Sequence, residues 1–268
     1  MKKILLIAYV IAHLTGCGQI GTDRPLLLSV TALPDTVLSE PGKGFTCTGL
    51  TYDADENVFW IGNCGKNLPE AEYSRPTIVK VEKDTLSYLD EIDLYSIYPS
   101  MIDVQGVTLD TSDDSLWVCS FSENKIRHIS KKGNDKGCID IEKPTGIAYD
   151  SRTDTLWVLT YTELINMNKD GDIIETIGIC IEGQDQIFLD EKNHLVYLTA
   201  GLDYKRENYV YLVDLSTKEV SLKFIPEDSY AIEGIFVEEN IMYVLNDGYY
   251  HSAKIPINQL NKYDTEKR

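Results

Sequence analysis

Five segments of the chain share one pattern of apolar and polar positions. In each, a short alternating apolar stretch ends at an acidic residue, a few polar residues follow, and a second apolar stretch begins. The segments are TGLTYDADENVFWI from Thr48, QGVTLDTSDDSLWV from Gln105, TGIAYDSRTDTLWV from Thr145, DQIFLDEKNHLVYL from Asp185 and the shorter EGIFVEENIMYV from Glu233. An aromatic residue follows the second motif position by 11 residues in four copies and by 9 in the fifth. This phasing predicts a repeated strand–turn–strand unit.

The first four units each continue into a second pair of alternating stretches joined by a polar turn. The predicted strand pairs are 77–82 with 88–94, 125–130 with 137–141, 164–168 with 173–181, and 209–214 with 220–225. Four antiparallel strands in about 40 residues are typical of one blade of a β-propeller. The sequence therefore predicts an all-β fold, a single β-propeller of about five four-stranded blades, with a sixth, degenerate blade as the alternative.

The last unit shows only three strands, predicted at 233–238, 241–246 and 252–257. Residues 26–33 form a strand-like run near the other end of the chain and have no hairpin partner of their own. This run is expected to supply the missing fourth strand and to close the ring, which would leave the last blade complete and its edge covered.

The first residues have the pattern of an export signal. Lys2 and Lys3 precede an apolar stretch at 4–14 that is too short to span a bilayer. The following Leu-Thr-Gly-Cys17 resembles a bacterial lipobox, which implies thioether lipidation of Cys17 and cleavage before it. The alternative is an ordinary cleaved signal. The predicted organisation is a signal peptide at 1–16, a tether at 17–24 and a propeller domain at 25–268.

Lipidation would place the protein in the bacterial cell envelope, held to the membrane through the acyl chains on Cys17. Gly18, rather than Asp, follows the cysteine. By its resemblance to known sorting signals, this residue permits the outer membrane. The expected localisation is therefore a lipid-anchored position in the envelope, on the outer membrane.

The net charge of −18 comes from charges that are interspersed along the chain rather than grouped in blocks. A basic footprint for nucleic acid is absent from the sequence, so nucleic acid is excluded as an expected partner. The acidity also argues against binding to anionic lipid headgroups.

Cys47 and Cys64 flank the first repeated hairpin. If Asp53 pairs with Val58, an uninterrupted register would place the two cysteines opposite each other on neighbouring strands. A cross-strand disulfide and a pair of buried thiols both fit this position. The remaining cysteines form no CxxC motif and no Cys/His cluster with zinc spacing.

In a propeller, the first strand of each blade lines the channel, and its start lies on the same face as the end of the second strand. Two sets of residues are therefore expected around one mouth. The residues before each repeat glycine, or its Gln186 equivalent, are Thr48, Gln105, Thr145, Asp185 and Glu233. Those three positions after each aromatic are Asn63, Ser120, Thr160, Ala200 and Asn246, with Asp247 alongside. Most are polar, which fits either a ligand site or a hydrated channel end.

The blade signature resembles the propeller group of NHL-repeat, SdiA-regulated and gluconolactonase-like proteins. TGLTYD, QGVTLD, TGIAYD, SLWV and TLWV carry the resemblance, which specifies the blade rather than the chemistry. Six blades are usual in that group. Its calcium-dependent lactonases use a Glu, an Asn and an Asp around the channel, and Glu233 matches the Glu-Gly strand start. The correspondence extends to Glu233 alone. Asp185 and Asn246 supply further hard oxygens at the mouth, so Glu233, Asp185 and Asn246 are the expected metal ligands, with calcium as the implied cofactor.

Two functional hypotheses follow. The first is a non-enzymatic module that binds a small molecule, a glycan or a protein through the polar mouth or through rim loops at 65–75, 201–208 and 249–250. The alternative is a calcium-dependent lactonase or esterase. No GxSxG or HExxH motif occurs. Trp60, Trp117 and Trp157 are expected in the core between blades rather than in a sugar-binding platform.

Overall fold

The computed structural model describes residues 22–34, 38–40, 46–64, 74–201, 208–247 and 258–267. Within these residues, twenty strands form five antiparallel sheets of four strands each, and the sheets surround a central axis. This arrangement confirms the predicted five-bladed β-propeller. In the same part of the chain, α1 (Leu94–Ile97) is a single helical turn, and no helix is long and apolar enough to cross a bilayer.

The first four blades are each built from four consecutive strands, ordered from the axis outward. Blade 1 contains β2 (Cys47–Asp53), β3 (Val58–Asn63), β4 (Thr77–Glu82) and β5 (Tyr88–Asp93). Blade 2 contains β6 (Val107–Asp110), β7 (Ser115–Ser120), β8 (Lys125–Ser130) and β9 (Asp135–Asp140). Blade 3 contains β10 (Ile147–Asp150), β11 (Thr155–Leu159), β12 (Glu163–Met167) and β13 (Ile173–Gly178). Blade 4 contains β14 (Gln184–Asp190), β15 (Leu195–Ala200), β16 (Tyr209–Asp214) and β17 (Val220–Phe224).

Blade 5 joins the two ends of the chain. It contains β18 (Ile232–Glu238), β19 (Ile241–Asn246), β20 (Gln259–Asp264) and, outermost, β1 (Leu26–Ala32). The pairing of β1 with β20 confirms the predicted closure by the N-terminal strand. The partner strand was placed wrongly, because the prediction put it at 252–257, outside the described residues. A strand paired on both sides needs its N–H groups, which Pro256 lacks, whereas 259–264 contains no proline.

The repeat glycines allow the five innermost strands to approach closely at the axis. A Cβ added to Gly106 would lie 2.7 Å from the backbone nitrogen of Ile147 in the next blade. A Cβ on Gly49 would lie 2.4 Å from the nitrogen of Val107. These distances are too short for any side chain, so the glycine of the motif is a packing requirement of the ring.

The repeat tryptophans are buried between blades, as predicted, and two of them bind the aspartate that ends the first strand. Trp117 Nε1 donates to Asp110 Oδ2 at 3.1 Å, and Lys169 of the next blade lies 2.8 Å from the same oxygen. In blade 1, Lys131 of the next blade similarly pairs with Asp53. The acidic residue of the motif therefore links neighbouring blades.

A β-bulge interrupts the register at the start of β2, β14 and β18. In β2, Asp53 pairs with Val58 as predicted, but the bulge places Cys47 opposite Asn63, and the Cys64 N–H donates to the Thr46 carbonyl at 2.9 Å. Cys47 and Cys64 are thus offset by one residue, and both are buried thiols that form no disulfide. Of the two arrangements that the sequence left open, the disulfide is not formed.

Candidate functional site

The starts of the innermost strands surround a cavity of about 650 Å³ at one end of the channel. Its lining repeats from blade to blade in three positions. The position before the repeat glycine contributes Thr48, Gln105, Thr145, Asp185 and Glu233. The position two residues earlier contributes Thr46, Asp103, Lys143, Gly183 and Ala231. The position four residues after the repeat aromatic contributes Cys64, Phe121, Tyr161, Gly201 and Asp247, and Ser122 and Gln184 complete the lining.

The structure therefore brings together the five predicted strand-start residues and Asp247. The predicted residues three positions after the aromatic do not line the cavity. Side chains alternate along a strand, so the residue at the fourth position faces the mouth instead. Sequence reasoning missed Phe121 and Tyr161 for this reason, although their regular spacing from Trp117 and Trp157 would have identified them.

The residues predicted at the mouth that do not line it are buried, and their side chains hold neighbouring loops in place. Asn63 Nδ2 donates to Ser74 Oγ at 2.8 Å and to Thr77 Oγ1 at 3.1 Å. Asn246 Oδ1 accepts from Ser229 Oγ at 2.8 Å and from the Tyr230 N–H at 2.7 Å. The second strand lies one strand further from the axis, so its last residue meets neighbouring loops rather than the channel.

Ser120 and Thr160 behave in the same way. Ser120 Oγ donates to Asp103 Oδ1 at 3.1 Å, and Thr160 Oγ1 exchanges hydrogen bonds with the backbone of Glu163. Both side chains are buried, Ser120 against the loop that precedes β6 and Thr160 against the start of β12. These positions are therefore polar because their side chains form hydrogen bonds with loops, and not because they face the channel.

Asp185 and Glu233 lie on the innermost strands of neighbouring blades, where their carboxyl groups are hydrogen-bonded to each other. Each belongs to a bulge, which turns the side chain away from the regular strand alternation. Gln186 Nε2 donates to Asp185 Oδ1 at 3.1 Å. Glu233 is buried and Asp185 is half-buried.

Burial raises the pKa of both carboxyl groups, and the charges of Asp185 and then Asp247 raise the pKa of Glu233 further. Two carboxyl groups in contact cannot both be ionised without strong repulsion. The repulsion between them therefore favours a pair that keeps one proton between its two carboxyl groups. Among the described residues, no lysine, arginine or histidine forms an ion pair with either carboxyl group.

Blades 2 and 3 form a bulky wall on the other side of the mouth. The rings of Phe121 and Tyr161 meet edge to face with centroids 5.2 Å apart. Lys143 Nζ lies 4.2 Å from the centroid of the Phe121 ring. Tyr161 is 60% exposed, which is unusual for a large ring beside a cavity. The mouth therefore has an aromatic side and an acidic side.

Gln184 lies between these two sides. Its Nε2 donates to the Thr160 carbonyl at 2.9 Å and to the Tyr161 carbonyl, so both amide hydrogens are used. Its Oε1 is buried and has no hydrogen-bond partner in the described part of the chain. Gln184 lines the cavity, so its side chain holds an unused acceptor within the wall of the mouth.

The predicted calcium ligands fit this geometry only in part. Asp185 and Glu233 offer hard carboxylate oxygens. The Asn246 side chain is directed into the hydrogen bonds with Ser229 and Tyr230, and it does not line the cavity. Its neighbour Asp247 does. The three-residue set that the lactonase resemblance implied is therefore not assembled, and no catalytic step through a metal is derived.

A close group of potential ligand atoms occurs elsewhere among the described residues, in Asp110, Asp113 and His128. Lys169 and Lys136 already form ion pairs with the two carboxylates. The His128 ring stacks on Trp117 with centroids 3.9 Å apart, and burial lowers its pKa. The group is a support between strands and blades rather than a metal centre.

The predicted rim loops at 65–75, 201–208 and 249–250 lie largely outside the described residues. Cys17, the predicted lipidation site, and the predicted signal peptide at 1–16 lie wholly outside them.

Comparison with known proteins supports the fold and leaves the activity open. No protein family profile matches the chain, and no curated protein matches it. Among solved structures, the nidogen/laminin complex matches with a TM-score of 0.53 and 13% identity over 77% of this chain and 73% of that one. A protein of unknown function from Bacteroides caccae matches with a TM-score of 0.53 and 14% identity over 85% and 80%. The Pan2 WD40 domain of Neurospora crassa matches with a TM-score of 0.53 and 8% identity over 90% and 72%. At these identities, what the chain shares with them is the β-propeller fold.

Proposed function

We propose that the protein is a binding module that takes a small organic ligand into the acidic mouth of its propeller. One observation supports this function above all. Asp185 and Glu233 place two neighbouring carboxyl groups at the cavity, and neither forms an ion pair with a cation among the described residues. Buried carboxyl groups reduce stability, so their presence at an open cavity is more typical of recognition than of support.

The size and asymmetry of the cavity also favour a small ligand. Its volume of about 650 Å³ lies within the range of small-molecule sites. Gly183 and Ala231, two residues before Asp185 and Glu233, place little side-chain bulk at the mouth, whereas Phe121 and Tyr161 provide a wall. A ligand could thus combine polar contacts on one side with apolar contacts on the other.

A thermal-shift screen tests this function. The purified protein is exposed to neutral sugars, carboxylates, amines, small aromatic compounds and calcium chloride. We expect at least one organic class to raise the Tm by mass action, and the rise to disappear in the Asp185→Asn, Glu233→Gln double variant. Asp55→Asn is the matched control, because Asp55 carries the same charge in an exposed turn.

The proposal fails if no organic compound raises the Tm, or if every rise persists in the double variant. A rise with calcium alone that requires Asp185 and Glu233 would instead favour the metal-dependent alternative.

We further propose that the module works in the bacterial cell envelope, anchored by lipid on Cys17 on the outer membrane. The lipobox-like Leu-Thr-Gly-Cys17 supports this placement, and Gly18 after the cysteine permits the outer membrane. Fractionation of bacterial cells that express the full chain tests it. The Cys17→Ser protein should leave the membrane fraction, whereas Cys138→Ser, a change at an exposed cysteine, should not. Unchanged partitioning of Cys17→Ser would refute the anchor.

A further inference from the structure

We propose that the ligand of the mouth carries a protonated amine, which Asp185, Glu233 and Gln184 receive, and an apolar portion that packs against Tyr161. This inference rests on the proposed small-ligand function and adds the chemical class of the ligand. The argument depends on which hydrogen-bonding groups at the mouth are already used.

Gln184 indicates that the ligand is a donor. An amide side chain offers two hydrogens and one carbonyl oxygen. Both hydrogens are committed to the Thr160 and Tyr161 carbonyls, which also fixes the orientation of the amide. The remaining group is Oε1, which is buried and without a partner among the described residues. Only a group with N–H or O–H donors can satisfy this oxygen.

Asp185 presents an acceptor for the same kind of group in the same cavity. It follows Gln184 in the sequence and lines the same cavity. Its carboxylate receives hydrogen bonds from Gln186 and Glu233, and a carboxylate can accept further ones. A protonated amine has three donors and no acceptor, so it matches a site that presents a carboxylate beside a fixed carbonyl oxygen.

The remaining charges at the mouth favour a cation as well. The charged residues that line the cavity are Asp103, Lys143, Asp185, Glu233 and Asp247. Asp103 is consumed within blade 2, where it accepts from Ser120 and from the N–H and hydroxyl of Ser122. Lys143 lies against the Phe121 ring on the opposite side. Asp185 and Glu233, on blades 4 and 5, therefore contribute to the local potential beside the aromatic wall.

The wall of the cavity distinguishes an organic amine from a metal ion. A metal would use converging oxygens, and Asn246, one of the predicted three, is directed elsewhere. A metal would also leave the exposed ring of Tyr161 without a role. An ammonium group on a short apolar or aromatic body would use both sides of the mouth and fits the volume of about 650 Å³.

Two probes of nearly equal shape test the inference. Phenethylamine carries a ring and an ammonium group, whereas 2-phenylethanol replaces the ammonium with a neutral hydroxyl. Calorimetric titration of the full chain should show that the amine binds about tenfold or more tightly than the alcohol. Asp185→Asn should weaken binding of the amine by about tenfold or more, whereas Asp55→Asn should not. Tyr161→Ala should weaken the binding of both probes, because both place a ring against Tyr161.

Three results would overturn the inference. Equal affinity for the alcohol, lost in Asp185→Asn, would preserve the small-ligand function but refute amine recognition. Calcium binding that depends on Asp185 and Glu233, without amine binding, would assign the acidic pair to a metal. Absence of binding by phenethylamine would refute recognition of this amine class. Folding of each variant is checked by its thermal transition, and the near-isosteric Asn substitutions keep the cavity shape.

Discussion

Glu233 and Asp185 occupy the same repeat position as Thr48, Gln105 and Thr145, but they are satisfied differently. Thr48 Oγ1 donates to the Gln105 carbonyl at 3.1 Å, and Thr145 Oγ1 donates to the Leu159 carbonyl at 3.3 Å. These threonines therefore support the ring. The two acidic residues bind mainly each other, and the pair remains charged beside the cavity. The same repeat position therefore stabilises the ring in some blades and presents a carboxyl group to the cavity in others.

The raised pKa of Glu233 gives a pH-dependent prediction. The folded protein keeps a proton on Glu233 that the unfolded chain releases above the ordinary pKa of 4.5, so this residue lowers stability as pH rises from there. Glu233→Gln replaces the titratable carboxyl group with an amide, which does not ionise and still offers a hydrogen-bond donor to Asp185. We expect the variant to be about 1–2 kcal/mol more stable at neutral pH, with the gain vanishing below about pH 4.

Urea unfolding from about pH 4 to about pH 8 measures this difference. Asp55→Asn serves again as the control, because Asp55 is exposed. Parallel stability curves for the wild type and Glu233→Gln would contradict the raised pKa. A gain in stability that accompanies a loss of binding would be the usual sign of a residue kept for function.

Much of the mouth could be predicted from the sequence, because the repeat fixes which strand position begins at the axis. The five strand-start residues of the mouth were located in this way. They are Thr48, Gln105, Thr145, Asp185 and Glu233. Asn63 and Asn246 were misplaced by a single residue, since neighbouring residues of a strand face opposite sides. The contact between Asp185 and Glu233 could not be predicted, because it depends on how two blades close around the axis.

At the scale of the strand, the hairpins were predictable and the bulges were not. Polar turns such as Lys131 to Gly133 mark the ends of strands directly. A bulge adds one residue without a strong local signal. The bulge in β2 separates Cys47 from Cys64, and those in β14 and β18 contain Asp185 and Glu233. The same kind of bulge thus separates the two cysteines in blade 1 and contains the two acidic residues in blades 4 and 5.

The close approach of the innermost strands gives a prediction for the repeat glycine. In Gly106→Ala, the new Cβ would lie 2.7 Å from both the Ile147 nitrogen and the Thr145 carbonyl oxygen. Backbone atoms cannot move aside without shifting a blade, so we expect a loss of about 2–4 kcal/mol. Gly178→Ala is the matched control, because nothing lies within 4 Å of its added Cβ.

Chemical denaturation of the two variants measures the effect. Gly178→Ala should remain within about 0.5 kcal/mol of the wild type. Equal stability of Gly106→Ala and Gly178→Ala would show that the ring accepts a side chain at its narrowest contact, against the packing described for the axis.

At the scale of the molecule, the propeller depends on contacts between chain segments far apart in sequence. Leu26 pairs with Asp264, and the Leu33 N–H donates to the Asn258 carbonyl at 2.9 Å. Asp23 extends this connection to blade 4, where its N–H donates to the Lys223 carbonyl at 3.0 Å. The N-terminal segment therefore links the last two blades, which are also the blades that carry Asp185 and Glu233.

This connection predicts that the N-terminal strand stabilises both the ring and the acidic mouth. Deleting residues 22–33 from a chain that begins at residue 22 would remove the pairing of β1 and expose the edge of β20. We expect the free energy of unfolding to fall by about 3 kcal/mol or more, because the deletion removes both the buried Leu33 side chain and the hydrogen bonds between β1 and β20. Urea unfolding compares the two chains, and hydrogen exchange locates the change. Protection should fall first in blades 4 and 5, whereas a uniform fall in all five blades would indicate that the ring opens as one cooperative unit.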